Sequence, residues 1–294
     1  MAVDQKTREW LKGRQWRITG TDMPKIILNK EGDPSSRYGT PLSVYVDKTT
    51  EIDPKEPTFP MRMGHLLQPV VAQLYLENKP ANKLIAPGLL THKTEDWAGG
   101  TPDYIVTDVE GKWLHGLECK TTSYRRRHEW GESGSQKMPM ECLIQSLHYL
   151  HICRSHWPEM NEWHVAVLIG GSEDFREYCV KYDKDTEWAM MEVGREFWTN
   201  HVLKKIPPDP VSGKVDAKVL DQMWHKSIQT RLDAPPESPL SLLAEDLGDV
   251  REKMGILKAR ESDITNRMKF LVGDSDGVDG RDWTLTWRRN KPRT

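Results

Sequence analysis

The sequence predicts an α/β (α+β) protein, because helical and strand periodicities both occur within its first 205 residues. Apolar residues recur at helical spacing over 61–78, and a second helix is predicted over 139–154, where Pro139 stands near the start. An apolar strand is predicted over 163–170 and an alternating strand over 175–182. A long helix over 184–204 closes this region.

A hairpin is predicted immediately before these elements. If 103–109 and 112–120 are strands joined by a two-residue turn, Asp103 lies directly opposite Glu118, with Cβ atoms about 5 Å apart. Lys120 then shares the face of Glu118, and Cys119 points to the other face. Two carboxylates at this distance hold a hard divalent cation, and a lysine beside them holds an anion or activates a water. This arrangement is typical of a metal-dependent phosphodiesterase.

Two alternatives remain open for this hairpin. Glu110-Gly111 is a weaker turn signal than Asn-Gly, and a three-residue turn with a bulge would shift the pairing by one residue. The other alternative is a surface hairpin with ordinary polar residues on its solvated face. Its apolar neighbours favour burial, and charges in a buried sheet need a partner such as a metal ion. These neighbours are Tyr104, Val106, Leu114 and Leu117.

Two other segments suggest contacts with phosphate. Thr21 or Asp22 is a candidate cap for a helix with Pro24 in its first turn, and a helix start with free amides binds anions. The alternative is a capped helix without a ligand. The run Arg125-Arg126-Arg127 follows the hairpin closely, so it is either a solvated loop or a DNA contact near the metal site.

Composition limits the class of protein. The net charge of −2 over 294 residues excludes a globally basic nucleic-acid coat, so a DNA contact must come from a local basic surface. No apolar run approaches the roughly 20 residues that span a bilayer, and the N-terminus lacks an apolar signal core, so we expect a soluble cytoplasmic protein. The four cysteines form no Cys-x-x-Cys pair, which argues for reduced thiols and against structural zinc or an iron–sulfur cluster.

Three regions are predicted along the chain. Residues 1–205 form the main domain, and 206–238 form a proline-rich linker with a short helix near 216–230. Residues 239–294 hold a helix with a heptad pattern, a terminal strand over 283–287 and a basic tail. The apolar seam of that helix needs a partner, which is either the helix over 184–204 or a second copy of the chain.

Five motifs in order resemble the lambda-exonuclease-like (YqaJ-type) group of viral recombination nucleases, which has the restriction-endonuclease-like PD-(D/E)xK core. The resemblance covers about residues 8–205. The motifs are Arg14 with Ile18-Thr19-Gly20-Thr21, Gly64-x-x-x-Gln68, Thr101-Pro102-Asp103, Leu117-Glu118-Cys119-Lys120 and Gln145-x-x-x-Tyr149.

This resemblance implies a mixed central sheet flanked by helices, a two-metal Mg²⁺ site that also accepts Mn²⁺, and 5′-to-3′ digestion of one strand from the ends of double-stranded DNA. It further implies a homo-oligomeric ring around DNA and a single-strand annealing protein that takes the 3′ overhang. Asp103, Glu118 and the Cys119 carbonyl would bind metal, and Lys120 would activate the attacking water. Arg14 and Thr21 would bind the terminal 5′-phosphate. Gln145 would lie near the active site, and Tyr149 completes that motif as a candidate DNA contact.

Gln68 departs from the family pattern, which has a glutamate ligand to the second metal at this position. An amide is neutral and binds a hard cation less well than a carboxylate, so the second site is expected to be weaker. The departure leaves a second class of function open, a DNA-end-binding module that loads an annealing protein. A structure-specific endonuclease on the same core is a third.

Overall fold

The chain divides into two compact units. The computed structural model describes residues 12–28, 39–50, 56–171, 174–211, 214–224 and 231–286. The first unit is Met1–His225 and the second is Lys226–Thr294. Among the described residues, no helix is both long enough and apolar enough to span a membrane.

The first unit is built on a five-stranded mixed sheet, as predicted. In spatial order its strands are β1 (Lys83–Ile85), β4 (Tyr104–Thr107), β5 (Trp113–Thr122), β6 (Glu162–Ile169) and β7 (Asp174–Lys181). The pair β5–β6 is parallel and the other pairs are antiparallel. Two short strands, β2 (Leu90–Thr91) and β3 (Gly99–Gly100), pair separately.

Helices cover both faces of this sheet. On one face lies α3 (Phe59–Leu76), whose buried Val71 and Tyr75 form a small apolar cluster with residues of β4, β5 and β6. The other face carries the larger core cluster, to which the remaining helices contribute. These are α1 (Met23–Ile27), α2 (Pro41–Thr49), α4 (Met140–Arg154) and α5 (Lys184–Phe197), the last of which continues as a π-helix over Trp198–Leu203.

The hairpin has the predicted register but a different turn. Tyr104 pairs with Leu117, which places Asp103 opposite Glu118 when the ladder is extended by one residue. The Asp108 N–H donates to the Lys112 carbonyl at 3.0 Å, so three residues close the turn and the predicted two-residue turn is wrong. A bulge between Val106 and Thr107 takes up the extra residue. The turn error therefore does not reach Asp103.

Part of the predicted linker belongs to the first unit. Helix α6 (Lys214–Met223) ends earlier than the predicted helix, and 225–230 lie outside the described residues. Asp216 is buried, accepts a hydrogen bond from the Val211 N–H at 2.6 Å and receives another from the Thr40 hydroxyl. Val219 joins the larger core cluster. These contacts make α6 a packed helix rather than a free connection.

The second unit is one long helix followed by a hairpin. Helix α7 (Pro239–Val272) begins as predicted, with the Ser241 N–H donating to the Ser238 hydroxyl at 3.2 Å. Gly273 follows its last residue at φ +61°. Strands β8 (Gly277–Asp279) and β9 (Thr284–Thr286) then pair antiparallel. The heptad residues Leu243, Leu247, Val250, Met254, Leu257 and Ile264 are exposed. The basic tail lies outside the described residues.

We predict that Gly100→Ala destabilises the first unit. A Cβ at this position would stand 2.5 Å from Cε1 of Tyr149, a buried ring that cannot move without disturbing its neighbours. The expected loss is about 1–3 kcal/mol of unfolding free energy, the usual cost of overpacking. Urea unfolding followed by circular dichroism measures it.

The matched control is Gly64→Ala in α3, where a Cβ would meet no atom within 4 Å. This variant should gain about 0.5–1 kcal/mol from helix propensity. Equal effects of the two substitutions would contradict the proposed contact with Tyr149.

Candidate active site

The start of β4 and the middle of β5 bring three of the predicted site residues together. Asp103 Oδ2 accepts a hydrogen bond from the Cys119 N–H at 2.8 Å. Lys120 Nζ donates to Glu118 Oε1 at 2.7 Å, across the two-residue period that puts both side chains on one face. The Cys119 side chain points to the opposite face, where it packs against the cluster under α3. A ligand from Cys119 would therefore have to be its carbonyl oxygen.

The Glu118 carboxylate has one bonded and one free oxygen. Its residue is 4% exposed, and Oε1 accepts from both Lys120 and Gln145. Oε2 is buried and has no hydrogen-bond partner among the described residues. An unpaired buried carboxylate oxygen is costly, and a hard divalent cation would satisfy it. The donor set of Asp103, Glu118 and a neighbouring carbonyl thus fits Mg²⁺.

The pKa values of Asp103 and Lys120 indicate that negative charge is in excess at the site. Burial, and secondly the Glu118 carboxylate, raise the pKa of Asp103 to about 7. Burial by itself lowers the pKa of Lys120, but the Glu118 carboxylate outweighs it and the net pKa lies above the ordinary value. Lys120 is therefore a cation at neutral pH that already neutralises Glu118. The remaining negative charge would be neutralised by a bound metal ion.

Gln145 of helix α4 forms hydrogen bonds with both Glu118 and Lys120. Gln145 Oε1 accepts from Lys120 Nζ at 2.7 Å, and its Nε2 donates to Glu118 Oε1 at the same distance. The amide thereby fixes both charged groups. Tyr149, one turn later, is 4% exposed and lies against Gly20 and Gly100. Its burial places it beneath the site and away from a DNA surface, so it supports Gln145 through a 3.4 Å contact between its hydroxyl and the amide.

A cavity of about 370 Å³ opens beside Lys120 and reaches the segment around Thr21. Thr21 and Gln145 both line it. The Arg14 guanidinium donates to the Thr21 hydroxyl at 3.2 Å, so two residues that are distant from the carboxylates in sequence lie at the rim of one cavity. Its volume is adequate for a phosphate group and the adjoining sugar.

Asp22 organises the segment that carries Thr21. As predicted, a helix starts here with Pro24 in its first turn, but Asp22 makes no side-chain capping bond. Its carboxylate instead accepts from the Thr19 hydroxyl and from Lys48 Nζ, both at 2.7 Å. Burial acts to raise the pKa of Asp22, yet Lys48 and Lys25 outweigh it and hold the pKa far below its usual range. Asp22 is thus a buried anion that anchors the Thr19–Thr21 turn.

The three arginines occupy a 3₁₀ helix, Tyr124–Glu129, and take different positions. Arg126 lines the cavity and pairs with Glu129, and it lies 3.4 Å from Glu141. Arg127 pairs with Asp174 at 2.9 Å on the edge strand. Arg125 is exposed. Only Arg126 of the three is thus at the cavity itself.

Gln68 lies on α3 and is half-buried. Helical spacing puts it on the stripe of Val71 and Tyr75, which faces the sheet. Within the described part of the chain, its amide makes no hydrogen bond to Asp103 or Glu118. The structure therefore leaves its role as a second-site ligand a prediction.

Two residues that line the cavity were missed by the sequence reasoning. Lys25 lies four residues after Thr21, and Glu141 lies four residues before Gln145 on α4. For Glu141 the i, i+4 spacing to Gln145 was the available signal, because residues so placed share one helix face. Neither is part of a motif that resembles the family, so nothing singled them out.

Comparison with known proteins identifies the family and the fold. Residues 9–156 match the model of the YqaJ-like viral recombinase domain. The alkaline exonuclease LHK-Exo from Laribacter hongkongensis aligns with a TM-score of 0.50 at 14% identity, covering 68% of this chain and 94% of that one. LHK-Exo in complex with dAMP aligns with a TM-score of 0.47 at 15% identity, covering 74% and 97%. No curated protein matches the sequence.

The fold is that of the restriction-endonuclease-like exonucleases. The family match covers half of the chain, and the chain belongs to the YqaJ-like viral recombinase domain family. Family and fold together support a nuclease.

We predict that Asp22→Asn destabilises the first unit by about 3–5 kcal/mol, because it leaves the buried Lys48 ammonium without its counter-charge. Since the pKa of folded Asp22 is depressed, its stabilisation is complete above the ordinary value of 3.8 and is lost as the pH falls toward the folded pKa. Urea unfolding at neutral and acid pH measures both effects.

The double variant Asp22→Asn/Lys48→Met should recover part of the loss, since the more deeply buried of the two ammonium groups that face Asp22 is removed with its counter-charge. Asp221→Asn, at an exposed position on α6, is the control and should stay within about 0.5 kcal/mol of the parent. A loss at Asp22 that does not change between neutral and acid pH would rule out the ion pair as its cause.

Proposed function

We propose that this protein is a Mg²⁺-dependent 5′-to-3′ exonuclease on linear double-stranded DNA that leaves 3′ single-stranded overhangs. The observation that carries the proposal is the buried Glu118 carboxylate, with one oxygen on Lys120 and the other without a partner, beside a cavity of phosphate size. The family membership supports the class of reaction. Strand polarity and the annealing partner rest on the family resemblance.

Asp103, Glu118 and the Cys119 carbonyl would hold the principal metal ion, with Mn²⁺ as a substitute for Mg²⁺. When bound, the metal supplies Lewis-acid activation of water and neutralises charge on the scissile phosphate. Gln68 would offer its amide oxygen to a second and weaker site. A neutral amide in place of a carboxylate lowers affinity at that site, so the clamp on the leaving oxygen is weaker than in a two-carboxylate centre.

The side chains around the scissile phosphate have separate roles. Lys120 holds its ammonium at the cavity wall, where it orients the attacking water and stabilises charge that develops on the phosphate. Gln145 keeps that ammonium in place through its amide oxygen. Arg14 and Thr21 would receive the terminal 5′-phosphate. Arg126 and Lys25 would add positive charge along the cavity.

Phosphate contacts of this kind carry little sequence information, so the enzyme would digest ends of any sequence and its affinity would fall with salt. We include in the proposal a homo-oligomeric ring around the duplex, which would keep the enzyme on one molecule through many cycles. An annealing protein would receive the 3′ strand.

A DNA-end-binding module without catalysis is the second candidate, and the neutral Gln68 is the feature that favours it. Asp103, Glu118 and Lys120 argue against it, because binding alone does not need a buried carboxylate that lacks a partner. An endonuclease on the same core is distinguished by substrate, since covalently closed circular DNA has no end and only an endonuclease cuts it.

The first test is digestion of linear duplex DNA that carries a 5′-phosphate and a separate label at each end. We expect Mg²⁺-dependent release of nucleotides from the 5′ end, and a fall of about 10²–10³-fold with Lys120→Ala. Binding to the same DNA ends, measured by fluorescence anisotropy, should persist in that variant.

Lys137→Ala is the matched control, because Lys137 is exposed and outside the cavity. Release of the 3′ label first would overturn the proposed polarity. Loss of end binding together with cleavage in Lys120→Ala would contradict a role confined to catalysis.

The role of Gln68 has its own test. Gln68→Glu restores a carboxylate at the predicted second site, so we expect the Mg²⁺ concentration for half-maximal cleavage to fall by about tenfold or more, since hard cations favour charged oxygen ligands. Gln73→Glu makes the same change of charge on the exposed face of α3 and should leave that concentration unaltered. Cleavage by Gln68→Glu alone would mark this chain as a disabled form of the enzyme, and identical behaviour of both variants would exclude Gln68 from the site.

A further inference from the structure

A second group of metal-binding side chains lies on the face of the sheet opposite Glu118. His115 on β5 and His164 with Glu162 on β6 each offer one ligand atom, and these three atoms all lie within 4.8 Å of one another. His164 Nε2 is 3.4 Å and His115 Nδ1 is 4.0 Å from the same oxygen, Oε1 of Glu162. Because side chains alternate along β5, His115 and Glu118 point to opposite faces.

The hydroxyl of Tyr75, on α3, contacts one nitrogen of each imidazole. Its hydroxyl lies 2.8 Å from His115 Nε2 and 2.6 Å from His164 Nδ1. The rings are stacked with their centroids 3.9 Å apart. One buried hydroxyl thus fixes one nitrogen of each ring, and the other nitrogen of each ring is directed toward Glu162.

The hydrogen atoms available do not satisfy this arrangement. A neutral imidazole has one N–H donor and one acceptor nitrogen. The tyrosine hydroxyl donates to only one of the two imidazoles, and the other must donate its single N–H to the tyrosine oxygen. The second ring then directs a lone pair toward the Glu162 carboxylate. Two acceptors facing each other are unfavourable unless a hydrogen-bond donor or a cation lies between them, and a metal ion bound by both satisfies them.

We propose that His115, His164 and Glu162 form a binding site for one transition metal ion of the zinc class, with Tyr75 as the residue that positions both imidazoles. Imidazole nitrogen with one carboxylate oxygen is a donor set that suits Zn²⁺ better than Mg²⁺. The nitrogens of histidines bound to a tetrahedral Zn²⁺ stand about 3.3 Å apart, given bonds of about 2.0–2.1 Å. A nitrogen and an oxygen ligand of such an ion are separated by about the same distance. The N···O distances from His164 and His115 to Glu162 Oε1, 3.4 and 4.0 Å, approach it.

The site is reachable from solvent. A hollow of about 350 Å³ is lined by His164, Glu177 and Cys179. Cys179 pairs with His164 in the ladder and its thiol donates to Glu162 Oε2 at 3.4 Å, so it stands next to the proposed ligands as a candidate fourth donor. The Lys79 ammonium lies over the Tyr75 ring, but Glu177 pairs with it at 2.7 Å. Its charge is therefore balanced near the site.

A second cluster of the same composition serves as a comparison. His92, Glu95 and His151 also lie close together. Both nitrogens of His151 are already directed at carboxylates, Glu95 at 3.2 Å and Glu187 at 3.0 Å. Arg195 neutralises Glu95 as well. This cluster is satisfied as an ion-pair network, so it has no need of a metal ion.

The test is a Zn²⁺ titration of the full chain in competition with a chromophoric chelator, in millimolar Mg²⁺ to occupy oxygen sites. We expect one Zn²⁺ per chain that depends on Glu162 and His164. Tyr75→Phe, which removes only the hydroxyl, should weaken binding by about 10–100-fold, as loss of a group that orients a ligand does. Glu162→Gln should weaken it at least as much.

Glu162 is half-exposed, so Glu162→Gln should fold even if His164→Gln does not. Circular dichroism checks the folding of both variants. Glu95→Gln in the comparison cluster is the matched control and should leave Zn²⁺ binding unchanged. Equal affinity of the parent and Glu162→Gln would overturn the proposal, as would an equal loss in Glu95→Gln. Loss confined to Glu162→Gln, His164→Gln and Tyr75→Phe supports it.

Discussion

The buried carboxylate of Glu118 is the constraint around which the first unit is arranged. A charge that is 4% exposed must be neutralised, and Lys120 neutralises it through one oxygen while Gln145 bonds to both groups. This triad ties β5 to α4. The second oxygen has no hydrogen-bond partner within the described part of the chain and is left for a ligand. An unpaired buried oxygen lowers the stability of the fold but provides a ligand for a cation. Such a conflict is common where a site must bind a cation.

The register of the hairpin shows why some features follow from sequence and others do not. The position of Asp103 opposite Glu118 was predictable because the period of two and the apolar residues of the hairpin determine which face is buried. The turn was not, since Glu110-Gly111 is a weak signal and the bulge at Val106 depends on the fit of the whole pair. Helix starts at Pro139 and Ser238 were predictable from local capping signals alone.

Contacts between distant segments could not be predicted from local patterns. The packing of α6 on Thr40 through Asp216 joins residues 176 positions apart, and a proline-rich composition indicated only a linker. In the same way, Arg126 was one of three equivalent arginines in sequence, and only the fold places it at the cavity. The family resemblance identified Arg14 and Thr21 as candidate phosphate contacts, because the family's motifs reflect which residues come together in its fold. Residues outside its motifs, such as Lys25, gained nothing from it.

Helix α3 connects the two metal chemistries that we propose. Tyr75 is fully buried, and its hydroxyl bonds to imidazoles on β5 and β6, so the helix cannot slide along the sheet without breaking both contacts. Gln68 lies two turns earlier on the same stripe, about 10 Å along the helix axis. The anchor at Tyr75 therefore determines where Gln68 lies along the sheet. A metal ion held by His115 and His164 would strengthen that anchor, because bound imidazoles keep their orientation, and α3 would then keep one position along the sheet.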